Sequence, residues 1–325
     1  MDLQLAEKPR HRHGLSTDGS LPETLEERLG WLHAKQRLGI ENEREGGAFG
    51  YRAEHWYRSA TVIRAALMVT GFYWRARKNA ENIKIRHHEV RSAELPASFD
   101  GFTILHLSDL HADINDGAIS RLIELLPTVS YDVCVLTGDY RAKTFGPYQP
   151  AIEGLARVRE HLEGPVCGVL GNHDSIRMVP ALEDIGIRML LNETQAIERG
   201  GEHIHLVGID DAHHYRVDNI EKAASDVPAA EFSILLSHTP EIYRQAAHAG
   251  FQLMLSGHTH GGQICLPGAI PIILDAVLPR RMGAGAWTYR GMIGYTSVGV
   301  GSSVLPVRLN CPPEITLHRL LRSPQ

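Results

Sequence analysis

The feature that most constrains this 325-residue sequence is a series of short apolar runs, each followed directly by polar residues of metal-binding type. The runs have the length of β-strands, and helix-like stretches separate several of them. Because the runs are almost continuously apolar, we expect sheets that are covered on both faces, in an α/β fold. The predicted strands are 102–107, 133–137, 166–170, 204–209, 233–236, 253–255, 292–298 and 315–317, and the predicted helices are 118–126, 152–162 and 240–249.

Five of these predicted strands end in candidate ligands. The candidates are Asp109, His111, Asp139, Asn172, His238, His258 and His260. The carboxyl ends of strands meet at one edge of an open α/β sheet, so we expect the seven side chains to form one cluster. Carboxylate and amide oxygens combined with imidazole nitrogens suit divalent ions such as Mn, Fe, Zn or Mg. The sequence therefore predicts a metal centre.

Spacing supports this prediction. In Asp109-x-His111 and His258-x-His260, side chains two residues apart point to the same face of an extended backbone. About one Asp-x-His motif is expected by chance in a chain of this length, so that motif alone is weak. Gly-Asn-His-Asp at 171–174 and Gly-His-Thr-His at 257–260 are each expected by chance roughly once in several hundred such chains. Together and in this order, the motifs favour a metal site over ordinary polar residues at strand ends.

The ordered motifs resemble those of the calcineurin-like metallophosphoesterases, over residues 102–320. The resemblance implies a four-layer sandwich of two mixed β-sheets flanked by helices, with two divalent metal ions. It implies that Asp109, His111 and His260 hold the first ion, that Asn172, His238 and His258 hold the second, and that Asp139 bridges them. The runs 108–111 and 257–263 are most similar to a bacterial subgroup of membrane-associated phosphodiesterases and lipid-precursor pyrophosphatases.

The resemblance also implies hydrolysis of a phosphate ester or pyrophosphate, in which two metals activate a water as hydroxide that attacks phosphorus. His173 resembles the family's general acid. Asp174 is expected to orient the His173 ring, with a turn cap as the alternative. Many family members have a second Asp three residues after the bridging one, but this sequence has Ala142 there. Arg141 is a candidate contact for substrate phosphate, with a surface salt bridge as the alternative.

The predicted strand 204–209 leads into further candidates for substrate binding, Asp211 and His213, beside Asp210 and His214. Side chains in such a loop either line a pocket or are solvated. Both interpretations remain open from the sequence.

Residues 1–82 are predicted to form an N-terminal extension, partly disordered over the first twenty residues and then helical near 21–38, before a catalytic domain at 83–325. Within it, segment 54–78 carries Trp56 and Tyr57, an apolar run at 65–74 and then basic residues. A spanning helix needs about 20 apolar residues, so this run is too short to cross a bilayer. The segment is either an interfacial helix on anionic lipid or a helix packed on the catalytic domain.

Composition limits the partners. The formal net charge of −5 argues against a nuclease or another nucleic-acid binder, because affinity for the phosphate backbone needs clustered Lys and Arg. The four cysteines are widely spaced and predict no disulfide framework. The first residues lack the apolar core of a secretory signal. We expect a cytoplasmic protein or one peripheral to the inner face of the plasma membrane.

The favoured function is hydrolysis of a phosphodiester or pyrophosphate in an amphiphilic substrate such as a UDP-diacylglucosamine-type lipid precursor, since segment 54–78 could hold the enzyme at a bilayer. Two alternatives remain open from the sequence. One is a phosphodiesterase or phosphatase acting on soluble nucleotides. The other is a non-catalytic, metal-binding interaction module.

Overall fold

Fourteen strands form the framework in the computed structural model, which describes residues 21–45 and 60–324. They are β1 (Lys84–Ser92), β2 (Thr103–Leu107), β3 (Val133–Leu136), β4 (Val166–Gly168), β5 (Arg188–Met189), β6 (Glu193–Arg199), β7 (Glu202–Gly208), β8 (Phe232–Leu236), β9 (Leu253–Ser256), β10 (Cys265–Leu266), β11 (Ile270–Pro271), β12 (Gly285–Tyr289), β13 (Met292–Thr296) and β14 (Glu314–Arg322). One six-stranded sheet has the order β1-β14-β2-β3-β4-β5, and a second has the order β12-β13-β9-β8-β7-β6. Both sheets mix parallel and antiparallel neighbours.

Nine α-helices lie within the described residues. They are α1 (Glu23–Leu29), α2 (Trp31–Glu45), α3 (Ala60–Val69), α4 (Tyr73–Asn79), α5 (Asp116–Leu125), α6 (Gln149–Arg159), α7 (Val179–Asp184), α8 (Ile220–Ala223) and α9 (Tyr243–Ala249). Short 3-10 turns occur at Ala97–Phe99, Leu126–Thr128, Ile176–Met178, Pro240–Ile242, His260–Gly262 and Arg280–Met282. Within the described residues, every helix is too short or too polar to span a bilayer.

The alternation of side chains along each central strand gives the molecule its layers. In β3, Val133 and Val135 face the core between the two sheets, whereas Cys134 and Leu136 face the helices that cover the first sheet. In β9, Leu255 faces the same inter-sheet core and Met254 faces the helices on the second sheet. Helix, sheet, sheet and helix therefore stack as four layers, which confirms the predicted fold class.

The predicted strands and helices are all present, with ends shifted by a few residues. The prediction missed the short strands β10 and β11 and the four strands at the edges of the two sheets, β5, β6, β12 and β1, of which β1 pairs only with β14. Most of its side chains are exposed or half-buried, so it lacks the apolar run that identified the central strands.

The N-terminal helices differ in their surroundings. Helices α1 and α2 occupy the stretch predicted as helical, and Leu25, Leu29 and Ala34 are buried in the core on the outer face of the first sheet. Helices α3 and α4 pack instead on a segment near the C-terminus, 305–309. Trp56 and Tyr57 lie outside the described residues, as do the first twenty residues. The boundary at residue 83 remains a prediction.

Three histidines lie in contact within the first sheet. His106 Nδ1 is 3.2 Å from His318 Nε2, and His318 Nδ1 is 2.9 Å from His88 Nδ1. His106 Nε2 lies 2.8 Å from Thr137 Oγ1. Burial lowers the pKa of His106 to about 3, because the charged imidazolium loses its hydration there.

Acid should therefore destabilise the fold through His106. The unfolded chain binds a proton near the ordinary pKa of 6.5 while the folded ring stays neutral until about 3, so stability is lost as pH falls through that window. Denaturant unfolding of chelator-treated protein should show that His106→Gln, which cannot titrate, loses about 2–3 kcal/mol less than the parent between pH 7 and about pH 4.5. Equal losses would contradict this account.

Candidate metal centre

The carboxyl ends of the central strands of both sheets meet, and the seven predicted ligands converge there. Asp109 and His111 follow β2, Asp139 follows β3 and Asn172 follows β4, all in the first sheet. From the second sheet come His238 after β8 and, after β9, His258 and His260. Six of the seven side chains belong to buried residues, and Asn172 lies against them through His238.

The histidines and carboxylates fall into two groups that share one residue. In the first group, ligand atoms of Asp109, His111, Asp139 and His260 all lie within 4.8 Å of one another, and in the second group those of Asp139, His238 and His258 do the same. The shared oxygen Asp139 Oδ2 is 3.9 Å from His111 Nε2 and 3.4 Å from His238 Nε2. A single carboxylate therefore faces both groups.

Nitrogen and oxygen atoms of the two groups point at one another. His111 Nε2 is 3.1 Å from His260 Nε2, which is 3.4 Å from Asp109 Oδ1. In the second group, His238 Nε2 is 2.9 Å from Asn172 Oδ1. His258 Nε2 is buried and has no hydrogen-bond partner among the described residues. A buried polar atom without a partner is costly, and ligation of a cation would satisfy it.

The hydrogen bonds of two imidazoles fix the tautomer that a ligand needs. His111 Nδ1 lies 2.8 Å from the carbonyl oxygen of Arg141, and His238 Nδ1 lies 2.7 Å from that of Thr137. A carbonyl only accepts, so each Nδ1 carries the proton. The lone pair of each neutral ring is then on Nε2, which faces the cluster.

The backbone at these positions is strained. Five of the seven predicted ligands have left-handed backbone angles, with φ of 50° at Asp109, 40° at His111, 55° at Asp139, 70° at His258 and 50° at His260. Residues other than glycine rarely adopt such angles, and each instance costs about 1–3 kcal/mol. Such strain persists where surrounding contacts impose it, and it concentrates at functional sites.

Two glycines allow the ligand loops to approach one another. A Cβ atom on Gly257 would overlap Ser108 Oγ and the Asp109 carboxylate, and one on Gly171 would overlap the Asp139 carboxylate. The sequence signal of glycine before His258 and Asn172 therefore has a steric cause.

The charges of the site favour a cation. The pKa of Asp109 is raised, first by burial and also by repulsion from Asp139. Although burial opposes charge on His238, attraction by Asp139 raises the pKa of that ring to about 10. The pKa of Asp139 lies well below its usual value because its attraction to histidines outweighs burial. The field that stabilises positive charge on His238 would also stabilise divalent cations, so the donor set and its charge fit two metal ions.

Asp174 does not orient the His173 ring, which corrects that prediction in favour of the cap. Its carboxylate accepts backbone N–H groups of Gly171 at 2.8 Å, Asp139 at 2.8 Å and Tyr140 at 2.9 Å. Asp174 therefore ties the loop after β3 to the loop after β4. His173 Nδ1 instead lies 2.9 Å from Thr144 Oγ1.

Arg141 is likewise not aimed at a substrate, and it does not form a surface salt bridge. It is buried, and its guanidinium donates to the carbonyl oxygens of His173 at 2.6 Å, of Gly146 at 2.9 Å and of Thr144. These bonds hold the loop that carries Thr144 against the loop of His173. Arg141 thus stabilises the wall of the site rather than its opening.

The two other predicted substrate-binding residues, Asp211 and His213, differ in where they lie. Asp211 is buried and its carboxylate accepts the backbone N–H groups of His214 and Tyr215, each at 2.6 Å, so it caps its own loop and does not face a substrate. His213 lies at the cluster, with its ring centroid 4.3 Å from that of His258. Its Nδ1 is 2.6 Å from Glu241 Oε2, which fixes the ring beside the second group.

The prediction missed the support that α2 gives to the site. The buried Arg37 side chain donates to the carbonyl oxygen of Asp174 at 2.9 Å and lies 3.4 Å from Asp210. Glu41 accepts from Ser175 Oγ at 2.6 Å. Helix α2 thus joins the loop after β4 to the loop after β7. The only sequence signal was an Arg and a Glu four residues apart in a predicted helix, which is common on helix surfaces.

Comparison with known proteins agrees with this geometry. The sequence model of the calcineurin-like phosphoesterase family matches residues 102–262. The uncharacterized metallophosphoesterase YkuE of Bacillus subtilis is 30% identical over 78% of this chain and 92% of its own length. The phosphodiesterase YaeI of Escherichia coli is 28% identical over 68% of this chain and 82% of its own length.

A third relative is longer than this chain. The transmembrane protein with metallophosphoesterase domain of Danio rerio is 28% identical over 79% of this chain, and the match spans 61% of that protein. The motif order, the buried Asp and His groups that can hold two metal ions, and the similarity along most of YkuE agree with one another. The chain therefore belongs to the calcineurin-like phosphoesterase family and is a metal-dependent phosphoester hydrolase.

Proposed function

We propose that the protein is a dinuclear phosphodiesterase or pyrophosphatase acting on an amphiphilic substrate, such as a UDP-diacylglucosamine-type lipid precursor. The observation that supports two metals most directly is the single Asp139 carboxylate, which belongs to both buried ligand groups. In this proposal one ion is held by Asp109, His111 and His260, the other by Asn172, His238 and His258, and both by Asp139.

Divalent ions bound there would lower the pKa of a water and stabilise negative charge on phosphate oxygens. The chain supplies rigid, buried ligands, so the charges are already oriented before a substrate binds. The hydrogen bonds that Asp174 accepts from Gly171, Asp139 and Tyr140 hold the loop of the shared carboxylate in place. Asp174 is therefore proposed as a positioning residue.

His173 is the proposed proton donor to the leaving oxygen. Its Nε2 lies 4.0 Å from Asp139 Oδ2, and its side chain is 23% exposed, so it borders both the cluster and the opening. The pKa of His173 is lowered to about 4, first by burial, so the ring can donate a proton only when the negative charge of a bound phosphate ester stabilises its imidazolium form. In that form Nδ1–H donates to Thr144 Oγ1, and the proton on Nε2 faces the site.

An amphiphilic substrate is supported by the surface that α3 and α4 present. Val69 is 89% exposed and Trp74 is 75% exposed, and exposed Arg75, Arg77 and Lys78 follow. Apolar residues flanked by cations suit the surface of an anionic membrane, and we propose a peripheral position on its inner face. The relatives called phosphodiesterase in E. coli and transmembrane protein in Danio rerio are consistent with a diester substrate near a bilayer.

Metal binding should show two equivalents. Chelator-treated protein should take up about two Mn²⁺ ions by calorimetry, and at a hundredfold excess over Kd the fold should gain about 2.7 kcal/mol per site. Asp139→Asn should weaken both sites and abolish turnover of an aryl phosphodiester, whereas Asp116→Asn, which changes an exposed carboxylate on α5, should do neither. Full turnover by Asp139→Asn would favour a non-catalytic role for the metals.

Substrates whose leaving groups differ in their need for a proton can show whether His173 is a proton donor or a structural residue. His173→Ala should lower kcat by about 10²–10⁴ for an alkyl phosphodiester, whose leaving oxygen needs a proton. The loss should be much smaller for a nitrophenyl diester, whose leaving group departs as a stable anion. Metal content by mass spectrometry serves as the control. Equal losses for both substrates would place His173 outside proton transfer.

Substrate class can be tested by comparing catalytic efficiencies. We expect kcat/KM for a lipid-linked pyrophosphate in anionic vesicles to exceed that for a soluble nucleotide diester by about tenfold or more. The reason is that binding energy from the acyl chains would add to that of the phosphate. Equal or higher efficiency on soluble nucleotides would support the soluble nucleotide alternative instead.

A further inference from the structure

A second exposed apolar segment lies directly after the metal-ligand loop. Residues 264–279 contain a single charged residue, Asp275, and form the β10–β11 hairpin and the chain that follows it. Within it Leu266, Ile270 and Ile272 are each more than half exposed, and Val277 is 88% exposed. Branched aliphatic side chains grouped in this way on a surface mark a contact with something apolar.

This hairpin and the α3–α4 corner are joined through residues 305–309. The backbone N–H of Cys265 donates to the Leu309 carbonyl at 2.9 Å, and that of Arg308 donates to the Ala76 carbonyl at 2.8 Å. Leu305, Val307 and Leu309 pack with residues of α3 and α4 and with Ile264. We call the exposed side chains on both segments the apolar rim; its members are Met68, Val69, Phe72, Trp74, Leu266, Ile270, Ile272, Ile273 and Val277.

The apolar rim is next to the metal centre. His260 and Gly262 lie in one 3-10 turn, and a Cβ on Gly262 would contact Pro271. The guanidinium of Arg308, in the joining segment, donates to the His260 carbonyl at 3.0 Å. A surface bound to the rim would therefore lie close to the turn that carries His260.

The charges that flank the rim indicate its occupant. Each apolar segment is followed by exposed cations, Arg75, Arg77 and Lys78 after α3 and Arg280 with Arg281 after the hairpin, in a chain whose formal net charge is −5. A second copy of this chain would bring like charges together in a symmetric contact. Anionic headgroups would instead pair with the cations while the aliphatic side chains and Trp74 enter the acyl boundary.

We propose that the apolar rim docks the protein on an anionic lipid bilayer, with the hairpin and the α3–α4 corner as two separate contacts around the metal centre. This inference rests on the proposed function, because it gives a route by which a bilayer-embedded phosphate ester reaches the site. It assigns a membrane-binding role to residues 264–279.

The test is cosedimentation of the full chain with vesicles. Vesicles of phosphatidylcholine with phosphatidylglycerol should bind the protein, and pure phosphatidylcholine should bind it several-fold less, with added salt reducing the difference. Ile272→Glu and Val69→Glu should each weaken binding by about tenfold, because a carboxylate would have to enter the apolar layer. Leu32→Glu is the matched control, since Leu32 is 63% exposed on α2 but outside the rim, and it should bind like the parent.

Two further measurements separate this inference from the proposed function. Ile272→Glu should keep the melting temperature and the turnover of a soluble aryl phosphodiester, and Asp139→Asn should keep vesicle binding after its turnover is lost. Vesicle binding that is absent, or unchanged in both rim variants, would overturn the docking proposal and leave the hydrolase intact. So would a change of oligomeric state, rather than of vesicle binding, in the rim variants by light scattering.

Discussion

The structure depends on one buried negative charge, the Asp139 carboxylate, being held between two clusters of imidazoles and carboxylates. A buried carboxylate is tolerated only when neighbours compensate it, and here histidines from both sheets approach it. That contact requires the end of β3 to lie against the ends of β8 and β9. The apolar core between the sheets brings these strand ends together, and the strained backbone at the predicted ligands and the close approach of Gly171 accompany the contact.

The convergence of the candidate ligands was predictable because their sequence signal is local. A strand-length apolar run followed by Asp or His indicates where the strand ends and which polar side chain lies at that end. The supporting groups were not predictable in the same way. Asp174 and Arg141 bond to backbone atoms of loops some thirty residues away, and backbone partners leave no trace in the identity of a residue. A carboxylate and a guanidinium suggested contact with the His173 ring or with substrate phosphate. In the structure both side chains hold loops together.

The fold was predictable to a similar extent. Central strands such as β3 and β9 are apolar on both faces and were recognised, while β1 is exposed at a sheet edge and was missed. The apolar rim could not be predicted for the opposite reason, because its residues are apolar in sequence but exposed in the structure. Isoleucines at 270, 272 and 273 resemble a short buried strand in sequence, and only the packing of neighbouring elements decides whether such residues are covered.

The position of α2 has a consequence for truncation of this enzyme from its N-terminal side. The Arg37 guanidinium stacks on the Tyr215 ring, 3.3 Å from its centroid, and in the interior it pairs with both Glu41 and Asp210. A chain begun at β1 would strip the counterion from Asp210 and uncover the ring of Tyr215. Helix α2 is therefore part of the structural support of this phosphoesterase, although every predicted ligand of its metal centre lies after residue 100.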